Sequence, residues 1–282
     1  MRIGIFARTF RRPTLAGVLD AIAGHGIESA QFNFSCLGLP TLPDQIDSKV
    51  ADAVRREFEA RGLQMAAVSG TFNMIHPDTA VRRDGLRRLG VLSEACSRAG
   101  APVITLCTGT GDPVDMWREH EDNALPEAWS DLLAGMAEAL ELAEKHNVTL
   151  GIEPEPANVV SSARQARRLL DVFKTPRLKV VMDAANLFHP GDLPRTKYIL
   201  DEAFDLLGGE IVIAHAKDLV DEGGLRYLAA GKGALDYDYY LERLRAAKFD
   251  GPLILHGLEE DEVAGCLAFL RGKIDAAEAK RP

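Results

Sequence analysis

Short apolar runs rich in β-branched residues recur along the chain. Each is followed by a polar loop and then by a longer stretch in which apolar positions return every three or four residues. The runs are RIGIF (2–6), SAQFNF (29–34), LQMAAVS (63–69), PVITLC (102–107), VTLGI (148–152), LKVVM (178–182), EIVIAH (210–215) and PLILH (252–256). They are nearly continuous rather than alternating, as expected of parallel strands covered on both faces. The stretches between them carry helix signals. Ile46, Val50, Val54 and Phe58 share one helical face, and Gly62 ends it. Trp129, Leu132, Leu133, Met136, Leu140 and Ala143 keep helical spacing behind Pro126. Tyr237, Tyr240, Leu241 and Leu244 follow Asp236, a suitable N-cap. Eight strands alternating with helices in 282 residues predict an α/β fold, a (β/α)8 TIM barrel. With no linker and no break in composition, a single domain over residues 1–282 is expected.

Composition narrows the partners. Apolar residues make up 46% and charged residues 27%, ordinary for a globular protein. The formal charge of −9 argues against nucleic acid, whose phosphates need a basic face. No run reaches transmembrane length, so no membrane partner is expected, and MRIGIFARTF has too short an apolar segment for a signal peptide. A cytoplasmic location is the expectation. Cys36, Cys96, Cys107 and Cys266 form no CxxC pair and read as free thiols. Homo-oligomer formation is left open.

In a barrel of this kind the chemistry lies at the C-terminal ends of the strands. The fifth run ends in Glu153 and Glu155, the sixth in Asp183 with Asn186 and His189 close behind, the seventh in His215 with Lys217 and Asp218, and the eighth in His256. On adjacent staves, Glu153, Asp183, His215 and His256 would converge on one rim. Mixed carboxylate and imidazole donors suit one divalent metal ion such as Mn²⁺, Zn²⁺, Mg²⁺ or Co²⁺. For any one of these residues, a satisfied polar side chain in a strand-to-helix turn is the plainer explanation; for four together it weakens. Glu259 and Glu260, just past His256, read as an acidic first helical turn.

Further candidates carry less weight. Lys217 could bind a substrate oxygen or neutralise an enediolate, or belong to a surface pair in a long loop. Glu155 is stiffened by Pro154 and Pro156. Asn186 and His189 are candidate substrate contacts, although His189 precedes a Pro-Gly turn. Arg8, Asn33 and His76 follow the first three strands. CTGTGD (107–112) has glycines that could admit a ligand to the backbone, and Trp117 beyond it could wall a pocket. GKGALDY (231–237) lacks the third glycine of a dinucleotide fingerprint and reads as a turn before the Asp236 cap.

Glu153 in GIEPEP, Asp183 in VVMDAAN, HAKD at 215–218 and GKGALDY resemble the sugar phosphate isomerase/epimerase superfamily, the xylose isomerase-like TIM barrels, along essentially the whole chain. The resemblance implies a metal held by a Glu, an Asp, a His and a Glu from strands five to eight. The first three fall on Glu153, Asp183 and His215. His256 stands where the family has its fourth ligand, a glutamate, so the two-glutamate proton transfer of the epimerases does not carry over intact. The implied activity is a metal-dependent isomerase or epimerase of a small sugar, polyol or hydroxy-carbonyl substrate, with Glu153, His256 and Lys217 as its catalytic groups. The alternatives are a dehydratase (lyase) acting on an inosose-like compound and a non-catalytic sugar-acid-binding barrel. The charge and the small set of histidines oppose a DNA repair endonuclease.

Overall fold

The computed structural model describes residues 1–279. Nine strands form: β1 (Arg2–Phe6), β2 (Ser29–Phe32), β3 (Gln64–Ser69), β4 (Val103–Leu106), β5 (Thr149–Ile152), β6 (Leu178–Asp183), β7 (Ile211–Asp221), β8 (Leu225–Ala229) and β9 (Pro252–Leu255). β1 to β7 pair in parallel in chain order, and β9 pairs in parallel with both β7 and β1 to close the barrel. Eight helices among the described residues surround it: α1 (Leu15–Gly24), α2 (Ser48–Glu59), α3 (Thr79–Ala99), α4 (Pro126–His146), α5 (Ala163–Phe173), α6 (Thr196–Leu207), α7 (Tyr237–Ala246) and α8 (Val263–Ala279).

The local signals act as their chemistry dictates. Pro126 occupies the first turn of α4, where its missing N–H costs nothing. The Asp236 carboxylate accepts from the Tyr239 N–H at the start of α7. Glu259 and Glu260 belong to the turn entering α8: Glu259 forms a reciprocal capping box with Glu262, and Glu260 takes two hydrogen bonds from Arg12 at 2.8 and 2.5 Å.

One element departs from the sequence expectation. The seventh run does not stop at His215. It continues to Asp221, turns through Gly223 and Gly224, both at positive φ, and pairs antiparallel with β8. Residues 216–229 are therefore a hairpin standing on the rim, not a loop. The polar residues Lys217, Asp218 and Asp221 hid it by interrupting the apolar run.

Two layers of core fix which side chains face inward. The larger lies between strands and helices and takes Val180 and Met182, Ala214, and Leu253 and Leu255. A smaller cluster inside the barrel holds Ala66, Ala67, Val103, Val181, Ile213 and Ile254. Gly4 is required there, because a Cβ would come within 2.5 Å of Ile254 Cδ1. Side chains on a strand alternate between faces. The residues two positions beyond the inner cluster therefore also point inward, at the open end of the barrel. They are Ser69, Thr105, Asp183, His215 and His256, with Lys217 one step further along β7.

Candidate metal and substrate site

Asp183 Oδ2 is the point of convergence. It lies 3.5 Å from His215 Nδ1, 3.4 Å from His256 Nδ1 and 3.0 Å from Lys217 Nζ. The other Asp183 oxygen accepts from the Ala185 N–H at 3.0 Å, which fixes the carboxylate plane. Glu153 Oε1 is 3.3 Å from His215 Nδ1. One donor atom from each of Glu153, Asp183, His215 and His256 lies within 4.8 Å of the others. Ligands about 2.1 Å from a tetrahedral ion stand about 3.4 Å apart, so the observed spacings fit a divalent cation. Two anionic oxygens and two imidazole nitrogens form a donor set that manganese, zinc or cobalt accepts.

The charges are mutually supported. Burial opposes the Asp183 charge, but Lys217, His215 and His256 outweigh it and hold the carboxyl well below its usual range. Burial also opposes the charge on Lys217, which Asp183, Glu155 and Glu153 nevertheless push up to about 12. His215 resists burial in the same way and is raised to about 9, chiefly by Glu153 and Asp183. Burial pushes the His256 pKa down. Glu155 is raised to about 8, first by burial and then by the charge of Glu153.

Side chains behind the four donors set their orientation. Asn186 is fully buried and bridges two site groups: its amide donates to Glu153 Oε1 at 2.9 Å, and its carbonyl accepts from Lys217 Nζ at 2.5 Å. The Gln31 amide nitrogen donates to Ser69 Oγ (3.2 Å) and Thr105 Oγ1 (3.1 Å). That turns Gln31 Oε1 toward His215 Nε2, 3.1 Å away. Nε2 thereby keeps its proton, and Nδ1 faces the cluster. Replacing Gln31 by Leu is expected to free the ring and weaken divalent-ion binding by about ten- to a hundredfold; a competition titration against a chelator measures this, and an unchanged affinity would remove Gln31 from the site.

A cavity of about 400 Å³ opens above the cluster. Its walls include Phe6, Arg8, Gln31, Asn33, Trp117, Glu153, Glu155, Lys217, Tyr227 and His256. Phe6 stacks on His256, with ring centroids 4.6 Å apart. The Tyr227 ring covers Lys217 Nζ at 4.1 Å.

The structure thus brings together Glu153, Glu155, Asp183, Asn186, His215, Lys217 and His256, with Arg8, Asn33 and Trp117 in the cavity wall. It does not bring in His76 or His189. The His76 ring meets Pro113 O (3.1 Å) and accepts from the Asp78 N–H (3.0 Å), securing the turn before α3. His189 is exposed in a turn closed by Asp192. Asn33 has a structural task as well, accepting from the Ser35 N–H.

Two sequence motifs also resolve. The amides of residues 108–111 are taken by the side chains of Asn158, Asn73 and Asn123, so the CTGTGD loop does not offer its backbone to a ligand. In GKGALDY, Gly231 N and Leu235 N both donate to Asp218, which ties the turn to the base of the hairpin. Sequence reasoning missed Phe6, Gln31, Ser69, Thr105 and Tyr227. The first four were marked only by inward parity, and Tyr227 rides on the unforeseen hairpin.

The profile of the xylose isomerase-like TIM barrel family matches residues 19–272. The chain belongs to this family. One relative, L-ribulose-5-phosphate 3-epimerase UlaE of Escherichia coli O1:K1, is 25% identical over 207 residues, covering 72% of this chain and 67% of the relative. Among solved structures, a D-tagatose 3-epimerase-like protein superposes with a TM-score of 0.77 at 16% identity, covering 99% of both chains. The IolI protein, solved with a bound zinc atom, gives a TM-score of 0.74 at 17% identity, again over 99% of both chains. Its zinc belongs to that protein; at this identity the likeness establishes the fold. Among the described residues, no helix of this family member is long and apolar enough to cross a membrane.

Proposed function

We propose that this protein is a metal-dependent isomerase or epimerase that removes a proton next to the carbonyl of a small sugar-like or polyol-derived substrate. The observation that carries this reading is the convergence of Glu153, Asp183, His215 and His256 at the floor of the polar cavity. These four residues would hold one divalent ion, whose contribution is to polarise the substrate carbonyl and make its neighbouring C–H acidic.

The chain's own groups supply the rest. Glu153 is the base: its carboxylate lines the cavity, and Asn186 holds its orientation. Lys217 places a permanent ammonium against the cavity, where negative charge develops on the substrate oxygen during proton removal. His256 returns the proton. Its Nδ1 faces Asp183, and among the described residues Nε2 has no protein partner, so one nitrogen serves the donor cluster and the other the cavity. This is how a histidine can stand in for the family's fourth glutamate while keeping an acid/base function. Glu155 adds a carboxyl that burial keeps protonated near neutrality, suited to donating a hydrogen bond to a hydroxyl.

Incubating the ion-loaded enzyme with a panel of ketoses and hydroxy-ketones in heavy water tests the proposal. Deuterium should enter the carbon next to the carbonyl, in a substrate that is isomerised or inverted without loss of water, and Glu153→Gln should abolish the exchange. An unsaturated product would move the site to elimination chemistry. No exchange with any member, together with ligand binding that a chelator does not alter, would make the protein a binding barrel.

A further inference from the structure

The loop between β1 and α1 carries three arginines, and only two of them are engaged. Arg12 is bound bidentately to Glu260, and Arg11 leans toward Glu259 at 3.9 Å. Arg8 makes no ion pair or side-chain hydrogen bond among the described residues. It is exposed and lines the wall of the cavity above the donor cluster. It also lines an adjoining hollow of about 370 Å³, which shares Phe6 and His256 with the cavity and runs out past Arg11 and Gly257. The acidic residues of that hollow are already engaged: Glu259 faces Arg11 and caps the turn entering α8, and Glu262 takes Lys232 at 2.5 Å.

The charge balance of the cavity is opposite to that of the molecule. The chain carries −9. Once a divalent ion is bound, Glu153, Asp183 and Glu155, even all ionised, are outnumbered by the ion's two charges with Lys217 and Arg8. A net positive pocket in a negative protein favours an anionic ligand over a neutral one of similar shape. Arginine's planar fork matches the oxygens of a carboxylate or a phosphate.

We infer that the substrate is an acidic hydroxy-carbonyl compound, whose carboxylate or phosphate sits at the cavity mouth against Arg8 while its carbonyl end reaches the donor cluster. This rests on the proposed proton-transfer reading for the carbonyl end, whereas the anion contact itself depends only on Arg8. The anionic group at Arg8 would fix the distance of the reacting carbon from Glu153, so Arg8 sets specificity and takes no part in the proton transfer.

Three matched probes test it by calorimetry on Mn²⁺-loaded protein: dihydroxyacetone, dihydroxyacetone phosphate and hydroxypyruvate. At least one charged probe should bind about tenfold or more tightly than dihydroxyacetone, and which one does so distinguishes phosphate from carboxylate. Arg8→Gln should erase that preference and leave dihydroxyacetone unaffected, and Arg8→Lys should restore part of it. A charge preference that survives Arg8→Gln places the anion on the ion or on Lys217 and overturns the inference, as does the absence of any preference. The same titrations on Asp183→Asn separate the two claims. Loss of the ion with Arg8-dependent anion binding intact upholds the subsite. Native protein that binds no ion, yet still shows the Arg8-dependent preference, sinks the metal-dependent reading alone.

Discussion

Asp183→Asn is expected to fold as the barrel and to lose its divalent ion, with affinity falling by at least about a hundredfold and turnover by about three orders of magnitude. The reason is geometric. Asp183 Oδ2 is shared by His215, His256 and Lys217, and among the described residues it is the only carboxylate oxygen within 3.5 Å of both ring nitrogens. The amide keeps the shape and can still accept from the Ala185 N–H, so the turn after β6 survives. What it removes is the negative charge that holds two imidazoles and an ammonium together, and an ion cannot replace that charge. The buried Lys217 also loses its nearest counter-charge, so the ion-free variant should melt below the ion-free parent. Metal analysis of purified protein, circular dichroism and a deuterium-exchange rate read the three consequences separately. Full retention of ion and activity would dissolve the proposed site.

His256 has the second largest expected effect, and its direction depends on the replacement. His256→Ala should weaken ion binding by about ten- to a hundredfold and slow turnover further by removing the proton donor. His256→Glu puts an oxygen donor in place of the imidazole, so it should recover binding and shift preference from zinc toward manganese or magnesium, which favour oxygen ligands. Burial lowers the His256 pKa, so near neutrality the native ring is a neutral imidazole, with a lone pair on Nδ1 for the ion and an N–H at Nε2 for the cavity. Its stacking on Phe6 fixes the ring plane. Chelator competition with Zn²⁺, Mn²⁺ and Mg²⁺ on the three proteins decides the matter. If all three bind each ion equally, His256 is a packing residue of the barrel mouth.

The barrel was legible because its signals are local and repeated. Each apolar run has strand length, each following stretch has helical spacing, and caps such as Asp236 and Pro126 act within a few residues of chain. The strand-end rule then pointed to Glu153, Asp183, His215 and His256. It did not hold at His76, whose ring secures the turn before α3, or at His189, which lies exposed in a turn closed by Asp192. It also passed over Gln31, which lies inside a strand rather than at its end yet sets the ring of His215. The hairpin of β7 and β8 was hidden because its outer half is polar, and with it went Tyr227, the ring over Lys217.

By itself, the sequence determined the number of staves, their order and the presence of carboxylates and imidazoles near their ends. These are properties of short segments and of chain connectivity. The sequence did not determine which of the two alternating faces of each stave looks inward. In a run that is apolar throughout, such as PLIL (252–255), both faces are equally fit for burial, and hydrophobicity cannot choose between them. Barrel closure chose, by setting Ile254, Val181 and Ile213 against one another, with Gly4 leaving room for Ile254. With that parity fixed, His256, Asp183 and His215 had to point into the same opening, and the cavity with Arg8 at its mouth followed.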